Sequence, residues 1–209
     1  MSKCFAVLGS FLKVACVILL VSYSQSTADA SLWPMESIEQ SFQAAEMVVL
    51  LRVDESQTVD VEGDVCGFRY TATVLTSFKG GKDLENRQIQ FGRFKGLDEE
   101  KTYLAFLERH DDPEVEYRKI RDANKLPDIE DEAEKKKAMT LVACKGMVPG
   151  LAFNDRFTWP VALNYVIITG LTPANFPDNV RVYPTDSAQL WVQKQDLFSY
   201  LRGLNSQKN

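Results

Sequence analysis

Histidine is nearly missing from this chain: His110 is the only one in 209 residues. A hydrolase relay needs an imidazole set against a nucleophile. His110 instead runs directly into Asp111 and Asp112, which reads as a strand end entering a solvated loop. No G-x-S-x-G accompanies it. Cysteine is also scarce, with four residues and no C-x-x-C, so thiol–disulfide exchange has no motif to act through. A zinc site lacks His and Cys ligands for the same reason. Gly80-Gly81-Lys82 does not have the G-x-x-x-x-G-K-[ST] spacing of a phosphate loop and reads as a hairpin turn. There is no Lys/Arg stripe interleaved with aromatics, which argues against a nucleic-acid partner.

Long apolar runs are confined to the start. Lys3 and Lys13 flank a short apolar opening, Val14 to Val21 are apolar throughout, and Ala28-Asp29-Ala30 closes the segment with small residues. This pattern predicts a secretory signal over residues 1–30, cleaved to leave Ser31 first. The run is shorter than the roughly 20 residues a bilayer requires, and no second one follows. No membrane span is therefore expected after cleavage. The remaining 179 of the 209 residues suit one domain with its own core. Without Lys3, Lys13 and Asp29 the balance is 22 basic to 28 acidic residues, a net charge of −6.

Cys4 and Cys16 leave with the leader. Cys66 and Cys144 remain in an oxidising compartment, where a disulfide between them is expected; two separate buried thiols are the alternative. A bridge would close a loop of nearly 80 residues, worth about 4–4.5 kcal/mol in the chain-entropy treatment before strain is subtracted.

Along the mature chain, Ser37 and Gln40 have capping-box spacing ahead of Ile38, Phe42 and Ala45, which predicts a short amphipathic helix. Met47–Val53 is compact and apolar, a strand buried on both faces. The polar residues 54–64 read as a turn region. In 66–80, Cys66, Phe68, Tyr70, Ala72, Val74 and Phe78 share one parity and polar residues take the other, a long strand with one buried face. Residues 87–91 alternate again as its antiparallel partner, and 102–108 form a strand covered on both faces. From 110 to 137 charge dominates, which predicts a solvated surface insertion containing a short helix after Pro127-Asp128. Strands are expected at 138–146 and from Val161, with 147–160 left ambiguous between them. A C-terminal helix is expected at about 186–203, with Asp186 as its cap and a stripe of Leu190, Leu197, Phe198 and Leu201.

The order of these elements, with Ser41 to Val53, Phe68 to Gly80 ending in F-K-G, and Gly96 to Leu107 carrying G-L-x-x-x-x-x-Y-L-A-F-L, resembles the OB-fold module of tissue inhibitors of metalloproteinases and netrin-like domains, especially their bacterial members. The resemblance implies a mainly β fold, a five-stranded OB-fold-like barrel whose strand face and loops are used for binding. Inhibitory members place a cysteine at the mature N-terminus to chelate the protease zinc. Ser31 and Leu32-Trp33-Pro34 offer none, so no inhibitory residue carries over.

Acidic groups at Asp60, Glu62 and Asp64 and at Asp111, Asp112, Glu114 and Glu116 raise the question of calcium. The first lacks an EF-hand's sixth-position glycine, and its twelfth position falls on Thr71. Both read as solvated loops, and no metal or other cofactor is expected. Trp33 and Trp159 each adjoin a proline and are the candidate binding contacts, with core packing as the competing and commoner reading. Trp191 is expected to dock the last helix.

These readings together point to an exported, secreted or periplasmic, non-enzymatic module that contacts another envelope or extracellular protein through OB-fold loops. The alternatives are an exported enzyme with carboxylate-based chemistry and a protease inhibitor of atypical mechanism. The disulfide is checked by the intact mass of exported protein with and without alkylation: no uptake by native protein is expected, and two alkylated thiols would disprove the bridge.

Overall fold

In the computed structural model, which describes residues 36–61, 63–109, 131, 133–134, 148 and 151–206, the first element is set by Ser37. Its hydroxyl accepts from the Gln40 N–H at 3.1 Å, and its own N–H donates to Gln40 Oε1 at 2.8 Å. This reciprocal cap opens α1 (Ile38–Ala44), as the spacing predicts. Ile38 and Phe42 lie one turn apart on its buried face.

Five strands follow: β1 (Met47–Val61), β2 (Asp64–Lys79), β3 (Gln88–Arg93), β4 (Thr102–Arg109) and β5 (Phe153–Pro160). They close into a barrel in the order β1-β2-β3-β5-β4. The pairs are antiparallel except β3 with β5, which meet in parallel through the one pair Gly92–Asn154. The fold is mainly β, with the expected five-stranded OB-fold-like barrel and a helix at each end. A Cβ on Gly92 would lie 2.3 Å from Asn154 Oδ1 and 2.5 Å from Val148 Cβ. Only glycine lets Asn154 reach the Val148 N–H at 2.7 Å and seal this seam.

Three assignments differ from the sequence reading. Residues 54–61 are strand, not turn: they pair with β2 out to Val61–Asp64, a backbone ladder that does not need apolar side chains, and Glu55, Gln57, Thr58 and Asp60 are exposed along it. The closing strand β5 comes from the ambiguous 147–160 stretch. Beyond it stands a separate three-stranded sheet of β6 (Tyr165–Thr169), β7 (Val182–Pro184) and β8 (Gln189–Gln193), in the order β6-β8-β7. The last helix, α2 (Lys194–Ser206), therefore starts eight residues later than Asp186. Leu190 and Val192 bury with period two against β6 and β7, and Leu197, Phe198, Leu201 and Leu204 alone make the helical stripe. Of the charged insertion at 110–137, only Asp131, Ala133 and Glu134 are described; Asp131 Oδ1 accepts from the N–H groups of the other two. The strand expected at 138–146 lies outside the described residues.

The chain builds two hydrophobic cores that share a wall. Met47, Val49, Leu51 and Val53 of β1 face the barrel interior with Tyr70, Ala72, Val74, Phe91 and Leu107. Val48 and Leu50 face the other way, into a second core roofed by α1, α2 and the small sheet. Period-two alternation explains why this strand reads as apolar on both faces. Register shifts between Val48 and Val49 and between Leu50 and Leu51 leave one extra β2 residue at each. These bulges turn Phe78 out of the barrel parity and into the second core. There its ring sits 4.9 Å from that of Phe198 on α2.

The next residue, Lys79, sends its ammonium to the carbonyls of Phe42, Gln43 and Ala45 at 2.5–2.9 Å. A seven-residue helix has few internal bonds to hold its end, so a cation on its orphan carbonyls is a main support. Lys79→Met is expected to lower unfolding free energy by about 1.5–3 kcal/mol, read from urea midpoints. An unchanged midpoint would show that α1 does not depend on this cap.

Candidate functional site

The loop joining β3 to β4 is short, glycine-bearing and charged, yet it is pinned at many points. The buried Tyr70 hydroxyl donates to Lys95 O at 3.1 Å and accepts from the Leu97 N–H at 2.8 Å. The Tyr103 hydroxyl accepts from the Asp98 N–H at 2.9 Å. The Glu99 carboxylate takes the Ser56 N–H and hydroxyl, and the Glu100 N–H donates to Val53 O. Two aromatic residues whose rings belong to the barrel thus use their polar ends to fix a surface loop.

This loop is one wall of a cleft of about 450 Å³. Ile167 and Thr169 of β6 and Gln189 of β8 form the facing wall, and Thr158 and Pro160 of β5 lie between. Two cations, Arg93 and Lys101, and one anion, Asp98, line it. Lys101 pairs with Asp98 at the exposed rim. The Arg93 side chain, 17% exposed, is held from behind by Asp155, 12% exposed, through Nε to Oδ2 at 3.2 Å. A second Arg93 bond reaches Thr158 O at 3.2 Å. Burial pushes the Asp155 carboxyl above its ordinary value of 3.8, and the Arg93 charge only partly opposes that.

The facing wall continues into an aromatic surface. In the small sheet, Val166, Ile168, Leu190 and Val192 point into the second core, which leaves Tyr165, Ile167, Thr169, Gln189, Trp191 and Tyr183 on the opposite face. Trp191 is 44% exposed and Tyr183 45%. Their rings cluster around Tyr165, at centroid distances of 5.5 Å for Trp191 and 6.0 Å for Tyr183. Arg181 stands beside them, paired with Asp196 at 2.6 Å.

The residues singled out from sequence fall elsewhere. Trp159 is 2% exposed in the second core, stacked on Phe157 at 5.2 Å and edge-on to Phe106 at 5.3 Å. It packs the core and does not present a contact surface, because β5 turns that face toward the small sheet. Trp191 does the reverse: it faces solvent rather than docking α2, because it alternates with Leu190 and Val192 on a strand. Trp33 and His110 lie outside the described residues. Cys66 is buried on β2 and disulfide-bonded, and Cys144 is outside the described residues. Among the described residues no group of three or more His, Cys, Asp or Glu is placed to hold a metal, and no helix is long and apolar enough to cross a membrane. Arg93, Asp155 and Tyr183 were missed, and Trp191 was singled out but assigned to helix docking. The available signal was the alternation Q-L-W-V-Q at 189–193.

Comparison with protein families, with curated proteins and with solved structures finds no match to this chain.

The raised Asp155 value fixes the sign of a pH effect. Only in the pH window between the unfolded and the raised folded value does the folded chain keep a proton at Asp155 that the unfolded chain releases, so this group's stabilising share is present in acid and is lost as pH rises through that window, above which the carboxylate is ionised against Arg93. Asp155→Asn removes that share. The stability of the variant relative to the parent, from urea unfolding across the acid range, is expected to improve as pH rises; a difference constant with pH would refute the assignment.

Proposed function

We propose that this chain is an exported, non-enzymatic module that binds a partner polypeptide in the envelope or outside the cell. The partner lies on the outward face of the small sheet and in the adjoining cleft, with the β3–β4 loop as the OB-fold loop that takes part. The observation that carries this reading is the cluster of Trp191, Tyr183 and Tyr165 on a solvent-facing β-surface, two of them close to half exposed. Tyr, Trp and Arg are the residue types that most often anchor protein contacts, because they bury large area with little side-chain freedom to lose. The second core fixes the sheet behind them, and the tyrosine-pinned loop fixes the rim, so little ordering is left to oppose association. Export rests on the leader pattern of residues 1–30, and the resemblance to inhibitor and netrin-like modules rests on element order and short motifs. Cys144 is the proposed partner of Cys66.

One observation favours the enzymatic alternative: an acid with a raised value stands near a cleft. That carboxylate is engaged by Arg93, and the cleft is lined by Arg93 and Thr158 rather than by Asp155. Binding is the stronger reading.

The test is in-cell crosslinking and affinity capture of the processed protein, tagged at its C-terminus. One stoichiometric protein partner is expected, with capture by Trp191→Ala or Tyr183→Ala weakened by about 2 kcal/mol, roughly thirtyfold, while thermal stability stays close to the parent's. Reproducible absence of a partner, or full capture by both variants, would overturn the reading.

A further inference from the structure

The cleft beside the aromatic face has a charge pattern of its own. Arg93 lines the cleft, with Nε turned to the partly buried Asp155 and one terminal amine to Thr158 O. A guanidinium has five N–H donors in a planar fork, so those two bonds leave donors unused on a side chain that lines the cavity. Asp155 and the Thr158 carbonyl lock the fork in orientation, as a planar acceptor requires. Lys101 stands at the rim, and its partner Asp98 is 67% exposed, so their surface pair opposes rearrangement only weakly. The apolar lining, Leu97, Pro160 and Ile167, suits the carbon stem that carries an anion, and Ile167 pairs across the sheet with Trp191.

We infer that the cleft receives the C-terminal carboxylate of the partner polypeptide, bound by the free donors of Arg93 with Lys101 as the mobile second cation. This inference rests on the aromatic face being the partner's site. A chain crossing that face from Tyr183 over Trp191 to Ile167 meets the loop wall of Gly96, Leu97 and Asp98. That wall is held rigid by Tyr70 and Tyr103. A continuing chain would have to climb over it, whereas a chain that ends there delivers its carboxylate to Arg93. Charge complementarity favours the same group: each lining cation has one carboxylate partner, Asp155 behind Arg93 and Asp98 beside Lys101, and Arg93 keeps further donors for an acceptor in the cleft.

The test is a two-dimensional NMR titration of the processed full-length protein with N-acetyl-Gly-Trp-Leu as the free acid, as the C-terminal amide, and with N-acetyl-Trp-Glu-amide as a side-chain carboxylate. The free acid is expected to shift the Arg93 Nε–H, the amides of Gly96, Leu97 and Asp98, and the Trp191 indole N–H together. Both amidated peptides are expected to bind about tenfold more weakly. Lys101→Gln, which gives up only the exposed pair with Asp98, is expected to weaken the free acid more than the C-terminal amide; Arg93→Lys, which keeps the charge against Asp155 but loses the planar fork, is expected to weaken the free acid as well, and undiminished binding by both variants would overturn the site. Equal binding of acid and amide, with Trp191 shifted by both, would overturn the carboxylate site and leave the aromatic face standing. Equal binding by the glutamyl peptide would overturn the terminal assignment. Absence of any cleft shift would overturn the inference, while the partner-capture experiment tests the binding reading separately.

Discussion

Along Met47–Leu51, β1 has no side that faces open solvent, and the rest of the molecule is arranged around that constraint. Its odd residues fill the barrel and its even residues floor the second core. A strand of this kind must be covered twice, once by closing the sheet on itself and once by laying further elements on its outer surface. The barrel satisfies the first requirement. Helices α1 and α2 and the small sheet satisfy the second. The bulges opposite Val48 and Leu50 join the two solutions, because they let one strand, β2, serve the barrel with Tyr70, Ala72 and Val74 and the outer core with Phe78. Lys79 then ties the helix that covers β1 to the strand that pairs with it.

The candidate site is a by-product of this double covering. A three-stranded sheet that spends Val166, Ile168, Leu190 and Val192 on the second core has to turn its alternate residues outward, and those residues are Tyr165, Ile167, Trp191 and Tyr183. Where the edge of this sheet approaches the barrel, the β3–β4 loop rises opposite it and a cleft is left between. Rigidity on both sides has the same source, since Tyr70 and Tyr103 are pinned by barrel packing and the sheet by the second core. The ion pair of Arg93 with Asp155 sits where the barrel opens toward that cleft. Its burial raises the Asp155 carboxyl, so the pair serves orientation more than stability.

Local signals were legible where one residue type had one physical use. The Ser37–Gln40 cap, the double-faced β1, the parity of β2 through Val74 and the covered β4 all follow from short-range periodicity or capping chemistry, and all stand in the structure. The C-terminal region was misread because two periods overlap there. Leu190 falls in a helical stripe with Leu197 and Leu201, and equally on the inner face of a strand with Val192. A strand could win only because β6 and β7 were available to pair with it, and that is a long-range fact. The two tryptophans exchanged roles for the same reason: an aromatic beside a proline, or beside a leucine, has no intrinsic side.

The sequence by itself determined the Ser37–Gln40 cap, the doubly covered strand at Met47–Val53 and the pairing of 66–80 with 87–91, because alternation, capping boxes and apolar run length act within a few residues. It also set the acidic balance and the single histidine. Only the tertiary structure decided which face of the small sheet turns outward, that Trp159 is core and Trp191 surface, and that Arg93, Lys101 and Ile167 line one cleft. Those outcomes depend on closing the barrel between residues more than 60 positions apart, as when Arg93 reaches Thr158, and on a second core assembled from both ends of the described chain. No local pattern encodes such a closure, since the free energy that favours it comes from burying surfaces that meet only after folding.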